Sequence, residues 1–176
     1  MILARMAQTT LISRDQINQR VAEMAKQIST DFEGSELIAL CVLKGAMFFC
    51  ADLVRQMTMD VALDFIQISS YGNQKYSSGV VTILKEPQLD MRGKSVLIVE
   101  DIIDSGLSIR EVNNYIESRG AAAVKTAAFL DKPAARKVAF TPNYVGFSID
   151  PQFVIGYGLD FAEKYRNIPE VQVLSD

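Results

Sequence analysis

Residues 96–108 read VLIVEDIIDSGLS, an apolar run that delivers Glu100, Asp101 and Asp104 into a turn of small residues. Carboxylates so placed can accept hydrogen bonds from a sugar diol, or share a Mg²⁺ whose other ligands are water and phosphate oxygens. The turn adds two hydroxyls, Ser105 and Ser108, a permissive Gly106, and consecutive backbone N–H groups where a helix is expected to begin. That combination is suited to holding a phosphate. Acids beside a phosphate cradle point to a sugar phosphate. The plainer reading is that Asp101 and Asp104 are turn and cap residues. The chain has no histidine, which removes the commonest proton shuttle, metal ligand and triad base. Any chemistry falls to carboxylates, Lys, Tyr or a metal.

The elements that must present these residues can be read from periodicity. Ser13 with Gln16 forms a capping-box pattern, and Ile17, Val21, Met24 and Ile28 follow at helical spacing toward Gly34. LIALCVL (37–43) is a short buried-type strand, AMFFCADLVRQM a helix and VALDFIQIS a strand, which together imply a parallel crossover. VVTIL and SVLIVE are further strands, the second ending at Glu100 and Asp101. SIREVNNYIESRG is a helix stopped at Gly120, and VKTAAFL, YVGF and FVIGY complete the strands. Buried strands alternating with amphipathic helices make an α/β domain whose mostly parallel sheet is covered on both faces. In such sheets ligands bind beyond the carboxyl ends of the strands, where the acids lie. The polar segment 70–79 is the one long loop, a candidate lid.

Composition narrows the class. With 176 residues and 49% hydrophobic content, one compact domain spanning 1–176 is expected. Lys and Arg number 18 against 21 acids, and they are scattered, so nothing marks a nucleic-acid or membrane-surface binder. Cys41 and Cys50 lack zinc-site spacing and sit in apolar surroundings, which fits buried thiols in a reducing cytosol. No run reaches the ~18 apolar residues of a membrane span, and the N-terminus MILARMAQTT lacks a leader pattern. A soluble, cytoplasmic protein is expected.

VLIVEDIIDSGLS resembles the phosphoribosyl diphosphate signature of the type I phosphoribosyltransferases. VLKGAMFF resembles their pyrophosphate loop and SSYG the start of their mobile loop. FLDKP and VGFSIDPQFVIGYGLDFAEKYRNIP are similar to the base-binding end of hypoxanthine-guanine phosphoribosyltransferases. The resemblance implies the type I phosphoribosyltransferase fold, a mostly parallel sheet flanked by helices with a small hood from the terminal segments. It also implies transfer of the 5-phosphoribosyl group from 5-phosphoribosyl 1-diphosphate to N9 of a 6-oxopurine. Hypoxanthine, and guanine as a second base, would give IMP or GMP and pyrophosphate with Mg²⁺ as cofactor, in a purine-salvage enzyme that is a homodimer or homotetramer. The preference among hypoxanthine, guanine and xanthine stays open.

Residue roles follow from the same resemblance. Asp104, Ser105, Gly106, Leu107 and Ser108 would line the 5′-phosphate loop, although many relatives carry a basic residue where this chain has Leu107. Asp104 is also the candidate acid/base, accepting the purine N7 proton as N9 attacks the anomeric carbon. Glu100 and Asp101 would meet the ribose hydroxyls and the metal shell, with Asp160 as a direct metal ligand near the base edge. Lys44, Gly45 and Arg166 would bind pyrophosphate, and relatives can hold the peptide bond before that lysine in the cis form. Ser70 and Tyr71 would open the lid. Lys132 would donate to the purine 6-oxo group, with Phe153 as the stacking platform and Val154 beside it. By residue type alone Lys44 and Arg166 read as solvated charges and Phe153 as core. One rival is a regulator on the same fold that binds RNA. Another is an unrelated doubly wound nucleotide-binding or receiver-like module, although IGYGLD lacks the third glycine of a dinucleotide fingerprint.

Overall fold

The structure is a computed structural model and describes residues 7–70 and 81–175. The elements, in chain order, are β1 (Ala7–Ile12), α1 (Arg14–Asp31), β2 (Leu37–Leu43), α2 (Met47–Gln56), β3 (Val61–Ser70), β4 (Val81–Lys85), β5 (Ser95–Ile103), α3 (Leu107–Ser118), β6 (Ala123–Asp131), β7 (Tyr144–Ser148), β8 (Val154–Ile155) and β9 (Val171–Ser175). The expected capping box opens α1. Ser13 Oγ accepts from Gln16 N at 3.3 Å, and Gln16 Oε1 accepts from Ser13 N at 2.9 Å. Ile17, Val21, Met24 and Ile28 are all buried, as their spacing requires.

Six strands form the main sheet in the order β4-β3-β2-β5-β6-β7. All neighbours are parallel except β4, which runs antiparallel to β3 at the edge. The chain winds outward from β2 to β3 on one side and from β5 through β6 to β7 on the other. Its direction therefore reverses between β2 and β5, and a crevice opens beyond their carboxyl ends. Register then decides which residues meet there. Cys41 pairs with Val99, so two residues further on Leu43 stands level with Asp101, and Lys44 and Gly45 emerge beside the acids.

One face of the sheet packs on α1 and α2, where Phe49 and Phe129 are fully buried, and the other packs on α3 through Ile109, Val112 and Ile116. Burial on both faces explains the near-continuous apolar runs of β2 and β5. A second sheet, β1-β9-β8, is antiparallel and joins the two terminal segments. β1 and β9 are not among the strands expected from sequence. Each has only five or six residues, and the pairing that joins them spans the whole length of the chain. β5 also runs to Ile103, past the acid pair where its end is expected from sequence, so Glu100 and Asp101 lie within the last residues of the strand. No helix is long and apolar enough to cross a membrane among the described residues.

Candidate active site

At the crevice the Gly45 backbone meets the Asp101 side chain on one side and the Gly158 backbone on the other, and glycines permit it. A Cβ on Gly45 would fall 1.6 Å from Asp101 Oδ2, and one on Gly158 would fall 2.0 Å from the Gly45 carbonyl oxygen. At Gly158, with φ +101° and a backbone oxygen in the way, only glycine fits, and at Gly45 any side chain would displace the Asp101 carboxyl. The Leu43–Lys44 peptide is cis. Tyr157, between Gly156 and Gly158, anchors this third segment to the core. Its ring lies 4.7 Å from that of Phe129, and its hydroxyl donates to Asp52 Oδ2 of α2 at 2.8 Å.

Within the acid pair Glu100 is buried and Asp101 half-buried. Glu100 is 8% exposed, and burial together with the neighbouring Asp101 charge pushes its carboxyl well above the ordinary range. Burial also pushes Asp101 up, against bonds from Glu100 and the Ile102 amide and the charge of Arg166. The folded state thus holds the Glu100 proton more tightly than the unfolded state does. The resulting stability is complete below the ordinary glutamate range and is lost as pH rises toward the raised folded value. Glu100→Gln should raise Tm at pH 8 by about 2–4 °C for each kcal/mol relieved, and change it little at pH 4. An equal shift at both pH values in a melting series would remove the buried charge as the cause.

Beyond β5 the chain turns through Asp104, Ser105 and Gly106 into α3. Gly106 caps the helix at φ +80°, and the Leu107 amide lies 3.4 Å from Ser105 Oγ. Leu107 and Ser108 form the first turn, so the helix N-terminus faces this loop. Asp104 is exposed, but its Oδ1 lies 3.1 Å from Nζ of Lys132, which is only 8% exposed. Lys132 leaves β6 just before Pro133, and its amide donates to Ile103 O at 3.0 Å, which keeps the strand ends in step.

On the other side of the crevice lies a charge network. Lys44 Nζ is 3.0 Å from Glu163 Oε2. Arg166 Nη2 is 2.8 Å from Asp160 Oδ1 and 3.6 Å from Glu163 Oε1, and its Nη1 donates to Gly158 O at 2.7 Å. Asp160 Oδ2 accepts from the Glu163 amide at 2.9 Å. Ala162, Glu163 and Tyr165 all adopt left-handed φ to turn this segment back on itself. Phe153 is 52% exposed and meets Phe161 edge-to-face at 5.7 Å, whereas Val154 is buried in β8. Ser70 ends β3, and Tyr71 lies outside the described residues together with the rest of the expected lid.

Sequence reasoning passes over two charged residues here. Glu163 bridges Lys44 and Arg166, and the only hint is its i, i+3 spacing to Arg166. Arg136 hydrogen-bonds the carbonyls of Ile103 and Asp104 and pairs with Asp131. A lone loop arginine whose partners are mainly main-chain oxygens leaves no motif.

Residues 11–162 match the phosphoribosyl transferase domain. The hypoxanthine-guanine phosphoribosyltransferase of Aquifex aeolicus is 42% identical, over 94% of this chain and 94% of that protein. The chain belongs to the type I purine phosphoribosyltransferase family. A crystal structure of a hypoxanthine-guanine phosphoribosyltransferase from Bacillus anthracis, 46% identical, superposes with a TM-score of 0.92 over 97% of this chain and 100% of that one. The match extends to the bifunctional protein TilS/HprT of Listeria innocua, 42% identical over 95% of this chain. This chain spans about a quarter of that protein's length, 26%. The type I phosphoribosyltransferase fold thus accounts for the six-stranded, mostly parallel sheet flanked by helices.

Proposed function

We propose that the chain is a hypoxanthine-guanine phosphoribosyltransferase of purine salvage, moving the 5-phosphoribosyl group of 5-phosphoribosyl 1-diphosphate to N9 of hypoxanthine or guanine and releasing pyrophosphate. The observation that carries this reading is the buried Lys132 paired with Asp104 at the lip of the phosphate loop. It supplies a donor fit for a 6-oxo group and a proton acceptor side by side. The RNA-binding regulator finds no support among the relatives named as hypoxanthine-guanine phosphoribosyltransferases.

In this reading residues 104–108 receive the 5′-phosphate on backbone N–H groups and hydroxyls, and Glu100 and Asp101 accept from the ribose diol. Lys44, the Gly45 backbone and Arg166 bind the diphosphate, which takes over the cations that Glu163 now neutralises. The purine lies on Phe153 beside Val154, with its 6-oxo group on Lys132 and its far edge toward Asp160. As N9 forms its bond to the anomeric carbon, the bond to the diphosphate oxygen breaks and its electron pair leaves with pyrophosphate. Asp104 accepts the proton from N7, and its negative charge favours the cation-like ribosyl centre. Ser70 and Tyr71 begin a lid that excludes water.

Mg²⁺ fits this donor set only in company with substrate. No group of three or more carboxylate or thiol side chains could cage a metal among the described residues. A buried and a half-buried carboxylate, both with raised proton affinity, nonetheless gain from a cation, and Mg²⁺ prefers few protein ligands plus water and phosphate oxygens. Glu100, Asp101 and, once released from Arg166, Asp160 are the proposed ligands. The ion would neutralise the leaving diphosphate. Chelation should abolish turnover, with Mg²⁺ restoring it, and Asp160→Ala should raise the Mg²⁺ concentration needed for half-maximal rate. Full activity in excess EDTA would refute the metal assignment.

Steady-state rates with hypoxanthine, guanine, xanthine and adenine test the activity itself. Pyrophosphate release with the first two is expected, and no turnover of any 6-oxopurine in Mg²⁺ would overturn the proposal. A cytoplasmic location and a homodimer or homotetramer belong to the same reading. Sedimentation would give one of those two masses.

A further inference from the structure

Three successive carbonyls at the start of the phosphate loop are held from one side. Arg136 Nη1 donates to Ile103 O at 3.0 Å and to Asp104 O at 2.7 Å. The Lys137 amide donates to Ser105 O at 2.9 Å. In a trans peptide the N–H points away from the C=O of the same plane. Holding carbonyls 103 to 105 therefore turns the N–H groups of Asp104, Ser105 and Gly106 to the opposite side. There the Ser105 and Gly106 amides donate to no protein group among the described residues. The arginine is itself fixed. Its Nη2 pairs with Asp131, both side chains are largely buried at 14% and 10% exposure, and its Cδ lies 2.9 Å from where a Gly106 Cβ would stand.

We infer that Arg136 is a positioning residue for the phosphate loop. Through the carbonyls of Ile103 and Asp104 it aims the loop amides at the 5′-phosphate, and through Asp131 it locks that aim to the strand end that carries Lys132. The inference rests on the reading of residues 104–108 as a 5′-phosphate loop. The guanidinium suits the task because its N–H groups diverge in a rigid plane and reach two carbonyls and a carboxylate together, which an ammonium on a flexible stem does not. Arg136 acts from behind the loop, so its effect belongs to the phosphate and not to the base.

Comparing a nucleotide with its nucleoside isolates that effect. Dissociation constants of inosine 5′-monophosphate and inosine would be measured by calorimetry for the wild type, Arg136→Met, and the double variant Arg136→Met with Asp131→Asn. The double variant removes the buried charge that the single one leaves behind, so it keeps the test available if the single variant fails to fold. The wild type should bind the nucleotide far more tightly than the nucleoside. The variants should lose roughly tenfold or more of that advantage, as expected for misaligned hydrogen bonds to a charged group, with inosine affinity unchanged. Arg136→Lys should not restore it. A folded variant that keeps the whole nucleotide advantage overturns the inference, and so does one that loses nucleotide and nucleoside affinity by the same factor. A wild type that binds the two ligands equally would instead refute the phosphate-loop reading itself.

Discussion

Adenine should be turned over roughly 10⁴-fold less efficiently than hypoxanthine, because a site built around one buried polar contact rejects a ligand that mismatches it. In the proposed reading Lys132 would be the source of that discrimination. Its ammonium can only donate, so the 6-oxo group is matched and the 6-amino group of adenine sets donor against donor. The geometry fits this, since Lys132 is 8% exposed and its one carboxylate partner among the described residues is Asp104 at 3.1 Å. Little water is at hand to relieve a mismatch. Lys132→Ala should lower kcat/KM for hypoxanthine by roughly 10²-fold, the worth of a hydrogen bond to a charged group, and change adenine far less. Stacking on Phe153 in the proposed pose would serve either base and contribute to neither choice. Wild-type use of adenine within about tenfold of hypoxanthine would remove donor matching as the basis of specificity. Equal loss of both bases in the variant would make Lys132 a support of the site and not its reader.

Asp104→Asn should lower kcat by roughly 10²-fold or more while donor binding and the fold survive. Asparagine keeps the shape of the turn but cannot take the N7 proton, and it cannot offer a negative charge to the ribosyl centre. The turn should tolerate the change, because the Asp104 side chain is more than half exposed at 55% and its main-chain oxygen, not its carboxylate, holds Arg136. The ion pair to Lys132 is lost in the variant, so some rise in the KM for hypoxanthine accompanies the fall in kcat. Near-normal turnover with all three oxopurines would remove Asp104 from proton transfer.

Periodicity and punctuation are enough to reveal the α/β architecture, the parallel crossover from β2 to β3 and the capping box of α1, since each depends on residues close together in the chain. The site acids are legible for the same reason. Glu100, Asp101 and the turn 104–108 are one continuous segment at a strand end, and their chemistry needs no distant partner to be recognised. With no histidine in the chain, composition alone narrows the choice of proton acceptor.

Only tertiary structure decides which charges meet. Lys44 and Glu163 are 119 positions apart and lie 3.0 Å from each other, because the strand order reverses between β2 and β5 and the 156–166 segment folds back over that crevice. The same reversal sets the Gly45 backbone against Asp101, an approach that follows from the pairing register of β2 and β5. Arg136 stays hidden in the sequence because its ligands are mostly carbonyl oxygens, which every residue carries and no motif encodes. The strands β1 and β9 are hidden because they are short and pair with each other across the two ends of the chain, β9 also taking the two-residue β8 on its other side. Local patterns report what a segment can bury or cap by itself. The electrostatics of this site depend on charges that only long-range packing brings together, some of them buried, as Glu100 and Lys132 are, and some at the surface, as Lys44 and Glu163 are.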